Sequence, residues 1–112
     1  MSKDSKEYLK HIQDECLYLT TVAADLSFED FIKDETLKRA VIRSLEIIGE
    51  AVKKIPADLR AHYPNIQWKN MAGMRDRLIH DYMGVNYLIA WDVIKDKIPG
   101  LYSQIKAILI EE

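Results

Sequence analysis

The chain has 112 residues, enough for one domain, and 48% of them are hydrophobic while 30% are charged. This composition is that of a globular protein and excludes a disordered or fibrous chain. The formal net charge of −2 excludes a general polycation, and the single cysteine excludes an internal disulfide framework.

The N-terminal segment MSKDSKEYLK is charged and lacks the apolar stretch of a secretory signal peptide. No run approaches the roughly 20 apolar residues that would span a bilayer. We therefore expect a cytoplasmic protein without membrane association. Residues 33–77 hold 10 basic and 6 acidic side chains, so any surface for a polyanion is expected there. Ordinary scatter of surface charge would give the same count.

The first predicted element is an amphipathic helix over residues 4–26. Its apolar residues recur at spacings of three and four, as expected for the buried face of a helix. Cys16 lies within this stripe, which favours a buried hydrophobic role over a nucleophilic one. The stripe consists of Leu9, Ile12, Cys16, Leu19 and Ala23.

Two N-caps are predicted next, Ser27 for a short helical turn and Asp34 for a helix that runs to about residue 54. The apolar stripe of the longer helix is Leu37, Ala40, Val41, Ser44, Ile48, Ala51, Val52 and Ile55. Its opposite face carries a line of charges, which has two interpretations. The line pairs with itself through Arg43–Glu46 and Arg43–Glu50 contacts in water, or it faces a partner subunit or substrate. The line consists of Arg39, Arg43, Glu46 and Glu50.

The second half of the chain predicts a short helix over residues 57–63 between two prolines, and a longer one over residues 68–82 that stops near Gly84. Asn86 is predicted to cap another helix, which Pro99-Gly100 breaks before a final short helix over residues 101–110. No alternating strand pattern is present. The expected fold is therefore all-α, an up-and-down bundle of about four main helices plus short ones, in a single domain over residues 1–112.

The sequence lacks the motifs of several common kinds of catalytic and metal-binding site. The sequence has no Gly-rich phosphate loop and no GxSxG elbow. None of the three histidines, His11, His62 and His80, belongs to an HxxxH or ExxH pair of the kind that binds zinc or iron on a helix. An enzyme built on this chain is therefore expected to work without a metal or cofactor.

The predicted helix over residues 68–82 concentrates polar chemistry near its end. On a helical wheel, Arg75 lies at the edge of the apolar face formed by Met71, Met74 and Leu78. A guanidinium there needs an anion, because an unpaired charge beside the core is costly. The anion is either Glu46 or Glu50, or a substrate phosphate.

On the same wheel His80 lies about 140° from Arg75 and one turn after Asp76. An Asp76–His80 contact would fix the imidazole tautomer, or would be an ordinary surface pair near the helix C-terminus. For Arg75 and His80 to meet at one phosphate, the long arginine must reach round, the helix must loosen before Gly84, or two chains must meet at a dimer axis.

Three segments resemble the HEPN superfamily, and within it the HepT-like toxins: LEIIGEA at residues 45–51, YPNIQW at 63–68 and GMRDRLIHDY at 73–82. The family pattern Arg-x4-His-x-Tyr is matched by Arg75, His80 and Tyr82, and Asp76 occupies the polar position after the arginine. The likeness extends from the first helix to Trp91 and Pro99.

The resemblance implies a small all-α homodimer that cleaves RNA without a metal. Arg75 and His80 would be catalytic near the dimer interface, with Asp76 as a supporting polar group. An MntA-like minimal nucleotidyltransferase antitoxin would silence the toxin by transferring AMP from ATP to Tyr82. The alternative is a non-catalytic HEPN module that binds a nucleotidyltransferase or RNA, with Arg75 in a buried salt bridge. A bundle that binds a small ligand is a third, weaker interpretation.

Overall fold

The computed structural model describes residues 1–80 and 84–111, with the backbone alone at His80. In chain order its elements are α1 (Lys3–Ala23), α2 (Phe28–Lys33), α3 (Glu35–Lys53), α4 (Ala57–His62), α5 (Trp68–Ala72), α6 (Met74–Leu78), β1 (Ile79–His80), β2 (Gly84–Val85), α7 (Tyr87–Asp92), a π segment (Val93–Lys97) and α8 (Ile98–Glu111). The predicted all-α bundle is confirmed. Within the described ranges, no helix is both long enough and apolar enough to cross a membrane.

Side-chain caps start the helices where the sequence predicts them. Ser27 accepts a hydrogen bond from the amide of Asp30 at 3.1 Å, and Asp34 accepts one from the amide of Leu37 at 2.9 Å. Asn86 caps α7 in the same way. These bonds satisfy amides that would otherwise lack partners in the first helical turn, and so they fix where each helix begins.

The core lies where α1 packs between α3 and α8. All five apolar residues predicted for the first helix are buried, Cys16 among them. The buried face of α3 differs from the prediction, because it also includes Lys38, Ile42, Leu45 and Gly49, while Leu37 and Ala40 are only half-buried. At one edge of the α1–α3 contact, the buried Ser44 hydroxyl donates a hydrogen bond of 2.7 Å to Glu15. The contact between the two longest helices is therefore apolar inside and polar at its margin.

The predicted helix over residues 68–82 is wrong beyond Leu78, because residues 79 and 80 are extended. The α-helix is interrupted at Gly73, resumes as α6 and ends at Leu78, and the chain then forms a two-stranded antiparallel ribbon. Ile79 pairs with Val85 and His80 with Gly84. Glycine inside a helix is unfavourable, and the β-branched residues at 79 and 85 favour extended backbone. Gly84 has a φ of +132°, a conformation that favours glycine.

The predicted break at Pro99-Gly100 is also wrong. Helical backbone continues from α7 through the π segment into α8, which begins at Ile98. A proline ring inside an α-helix collides with the carbonyl four residues earlier, here that of Lys95. The wider π turn, in which the amide of Ile98 bonds to the carbonyl of Val93, displaces that carbonyl. The helix therefore accommodates Pro99 without ending.

Candidate active site

A close approach of two backbones positions α5 and α6 on α3. A Cβ atom built at Gly49 would lie 3.1 Å from the carbonyl oxygen of Met71 and 3.8 Å from the Cβ of Met74. Only glycine lets the helices come this near without a shift. Met71, Met74 and Leu78 are buried beneath α5 and α6, as the helical wheel predicts. The outer face of α6, which carries Arg75, is thereby fixed relative to α3.

Arg75 contacts one of the two predicted glutamates. Its Nε donates a hydrogen bond to Glu46 Oε2 at 3.3 Å, and the two side chains are 59% and 20% exposed respectively. Glu50 instead lies 3.8 Å from Arg43, which confirms that predicted pair, whereas the predicted Arg43–Glu46 contact is wrong because Glu46 pairs with Arg75. The predicted salt bridge of Arg75 with a glutamate is therefore confirmed, but its predicted burial is wrong, because more than half of the Arg75 side chain is exposed. A partner already holds the guanidinium, which still remains open to an anion from solution.

His80 lies beyond the helix that carries Arg75. Because α6 ends at Leu78, the predicted separation of about 140° and the one-turn Asp76–His80 spacing do not apply. The end of the helix before Gly84 is one of the three conditions under which Arg75 and His80 could meet at one phosphate. The meeting itself, the reach of the arginine and the dimer axis stay predictions. His80 is held by backbone pairing in β1, next to the hydrogen bond of 2.7 Å from the Asn86 amide to the Leu78 carbonyl.

The remaining predicted site residues have different outcomes. Asp76 is exposed on α6, one residue after Arg75. Tyr82 lies outside the described residues. Of the charge line on α3, Arg39 is exposed, while Arg43, Glu46 and Glu50 take part in two separate ion pairs. Glu46 thus joins α3 to α6, while Arg43 and Glu50 pair with each other within α3.

Arg75 lies on open surface. Two grooves of about 310 and 340 Å³ lie between the 63–67 connection and α8, the first also lined by α5 and the π segment, and Arg75 lines neither. Such an exposed guanidinium suits the backbone of a polymer better than an enclosed small ligand. Among the residues that the structure describes, no three His, Cys, Asp or Glu side chains are grouped as metal ligands would be.

The ribbon after α6 is the feature of this site that the sequence pattern did not predict. Two signals for it were present: Gly73 within a helical pattern, and β-branched Ile79 and Val85 on either side of a glycine. The Gly49 approach also went unpredicted, because a glycine in a helix does not reveal which element will pack against it.

Comparison with known proteins places the chain in a family. The model of the family described as "Ribonuclease HepT-like" matches residues 6–108. "Putative RNase TTE0752" of Caldanaerobacter subterraneus subsp. tengcongensis is 52% identical over 110 residues, which is 98% of each chain. "Putative RNase MJ0127" of Methanocaldococcus jannaschii is 43% identical over 107 residues, 96% of this chain and 88% of the relative.

"Probable ribonuclease HepT" of Thermococcus cleftensis is 44% identical over 101 residues, 90% of this chain and 92% of the relative. No solved structure matches the chain. The family match covers nearly the whole chain, and the relatives named above have similar lengths and ribonuclease names. The chain belongs to the Ribonuclease HepT-like family of the HEPN superfamily.

Proposed function

We propose that this protein is a metal-independent endoribonuclease toxin that acts as a homodimer in the cytoplasm. Arg75 and His80 are its catalytic residues, and Asp76 is a supporting polar group. The observation that carries the proposal is the family match over residues 6–108, which includes the whole Arg-x4-His-x-Tyr segment. The exposure of Arg75 supports it, because a catalytic arginine must be reachable by RNA.

The proposed reaction uses the 2′-hydroxyl that RNA carries beside each phosphodiester. A neutral imidazole of His80 takes the proton of the 2′-hydroxyl as its oxygen bonds to phosphorus. The bond from phosphorus to the 5′-oxygen then breaks, and an imidazolium protonates the leaving oxygen. The products are a 2′,3′-cyclic phosphate and a free 5′-hydroxyl. Histidine suits both steps because it titrates near neutral pH.

Arg75 supplies the electrostatic part of the mechanism. Negative charge grows on the phosphoryl oxygens in the transition state, and a guanidinium offers a rigid fork of donors to them. In a homodimer, one His80 acts as the base while His80 of the partner subunit acts as the acid. Each such proton transfer is worth about 10²–10⁴-fold in rate.

The first test compares wild type with His80→Ala on a labelled single-stranded RNA. We expect the variant to lose cleavage while its circular-dichroism spectrum stays helical, because the change removes the acid and base at a residue that lies beyond the end of α6. Wild-type cleavage should persist in EDTA, and a 2′-deoxy substitution at the cut position should block it. Undiminished cleavage by His80→Ala would refute the catalytic assignment of His80. An absence of cleavage by folded wild type would instead favour the non-catalytic interaction module.

Regulation is proposed to act through Tyr82. An MntA-like nucleotidyltransferase antitoxin transfers AMP from ATP to the phenol oxygen, and pyrophosphate leaves. The added phosphate brings negative charge close in sequence to Arg75 and competes with RNA. The proposal rests on the family motif at Arg75, His80 and Tyr82.

Intact mass spectrometry after incubation with the partner enzyme and ATP tests this step. We expect the mass to increase by whole AMP units in wild type and to stay unchanged in Tyr82→Phe. RNA cleavage should fall in proportion to the modified fraction. A mass increase that survives Tyr82→Phe would place the modification elsewhere.

A further inference from the structure

We propose that Glu46 is a positioning residue for Arg75, holding its guanidinium so that the terminal nitrogens face the scissile phosphate. The inference rests on the proposed ribonuclease function and assigns a role to a residue outside the Arg-x4-His-x-Tyr motif. It starts from the contact of 3.3 Å between Arg75 Nε and Glu46 Oε2.

The atoms in this contact matter. Guanidinium presents five donors in a planar fork, and only Nε is bonded to Glu46. Among the described residues, Glu46 is the one side chain to which Arg75 is hydrogen-bonded. The Nη1 and Nη2 edge, which matches two phosphoryl oxygens in a bidentate contact, is therefore left for substrate.

Glu46 is well placed to act as an anchor. Its side chain is only 20% exposed, whereas that of Arg75 is 59% exposed. It stands in the middle of α3, one turn before Gly49, where α3 approaches the carbonyl of Met71 most closely. The carboxylate is thus held by a rigid helix packed against the element that carries the arginine. An arginine without such an anchor would lose rotamer freedom when substrate binds, and this entropy loss would weaken the contact. The bond to Glu46 restricts the Arg75 side chain before substrate arrives.

Stability alone is a poor explanation for the pair. Ion pairs with one partner this exposed typically contribute little to stability, because water screens the charges. The pair also places a negative charge beside a site for a negatively charged polymer, which opposes binding of RNA in the ground state. An arrangement that weakens ground-state binding yet orients the guanidinium for the transition state favours turnover over affinity.

If Glu46 positions Arg75, the Glu46→Gln variant should show a specific change in its kinetic constants. The variant keeps the shape of the side chain but loses its charge, so the guanidinium is held less firmly while repulsion of RNA is relieved. We expect kcat to fall by about 10- to 100-fold, the range for a catalytic group displaced by up to 1 Å. KM should stay unchanged or decrease. Replacing a residue with a merely structural role would not lower kcat while leaving KM unchanged or decreased.

Glu50→Gln is the matched control. It makes the same chemical change one turn later on α3, at a glutamate that contacts Arg43 instead of Arg75. We expect this variant to keep the kcat and KM of wild type. Thermal unfolding followed by circular dichroism should give all three proteins closely similar midpoints. The ¹⁵Nε–H signal of Arg75 should exchange with water faster in Glu46→Gln than in Glu50→Gln.

The outcomes separate the two proposals. If wild type cleaves RNA and Glu46→Gln retains its kcat, the positioning role is overturned while the ribonuclease function stands. The role is equally overturned if both glutamine variants lose activity alike, or if Glu46→Gln changes KM alone. If wild type cleaves no RNA under conditions where it is folded, the ribonuclease function fails and this inference fails with it.

Discussion

Cys16 illustrates how helix packing changes the chemistry of one residue. Its side chain is fully buried in α1, and loss of water, with a smaller effect from the charge of Glu15, raises the pKa of the thiol from 9.0 to about 12. Because only the thiolate is nucleophilic, a thiol with a pKa of about 12 presents about 10³-fold less reactive sulfur at pH 8 than one with a pKa of 9.0.

We therefore expect native protein to react with an aromatic disulfide reagent at least about 100-fold more slowly than urea-unfolded protein at pH 8. The release of the coloured thiol measures both rates. Equal rates in the two states would mean that the helix exposes Cys16, contrary to its predicted and observed place in the core.

At Arg75, the sequence predicted that an anion was needed but not which one. The need followed from a helical wheel, because Arg75 borders the buried Met71, Met74 and Leu78. The choice of Glu46 over Glu50 depends on where α6 crosses α3. No pattern within either segment carries that information, since Gly49 determines it through a contact between distant parts of the chain.

At the level of elements, three capped helix starts were predictable, whereas the ends predicted near Gly84 and at Pro99-Gly100 were wrong. Ser27, Asp34 and Asn86 cap helices by bonds to amides three residues away, so the signal and its effect are local. The end of α6 depends instead on pairing between Ile79 and Val85, which only becomes favourable when the ribbon closes.

Gly49→Ala is expected to strain the α3–α5 contact. The new methyl would lie 3.1 Å from the carbonyl oxygen of Met71, a backbone atom that cannot move alone. We expect the free energy of unfolding to fall by about 1–3 kcal/mol, the usual cost of overpacking. Urea titration measures it, and RNA cleavage should fall as Arg75 moves away from Glu46.

The control is Gly100→Ala in the first turn of α8, where nothing lies within 4 Å of the added carbon. Alanine is favoured over glycine in a helix by up to about 1 kcal/mol, so this variant should be as stable as wild type or more so. If both alanine variants behave alike, crowding at Gly49 is not what fixes the helix pair.

Gly84→Ala tests the ribbon by a different mechanism. The added carbon meets nothing within 4 Å, but the φ of +132° is one that side-chain-bearing residues rarely adopt. We expect a loss of about 1–3 kcal/mol in unfolding free energy from backbone strain alone. Cleavage should decrease as well, because His80 pairs with Gly84 across the ribbon. Wild-type stability in urea would contradict this account.

At the scale of the whole molecule, the helical class was predictable because apolar spacings of three and four run through most of the chain. The proposed association of two chains is a separate matter. Large apolar side chains are exposed on three helices, and a second copy is one way to cover them. They are Leu17 and Tyr18 on α1, Leu88 on α7 and Ile110 on α8.

We expect light scattering to give twice the mass of one chain. The thermal midpoint should rise with protein concentration, because association stabilises only the folded state. A single-chain mass at micromolar concentration, with RNA cleavage intact, would exclude the division of acid and base roles between two copies of His80.

The π segment has a consequence for how the protein is degraded. By accommodating Pro99, it lets one stretch of helical backbone run over residues 87–111 with no loop at which a protease could enter. Proteases need several residues in extended form, so the exposed lysines at 95, 97 and 106 are poor trypsin sites while the helix is intact. The C-terminal quarter of the chain should therefore be cut only after it unravels, which ties the lifetime of the protein to the stability of its longest helical run.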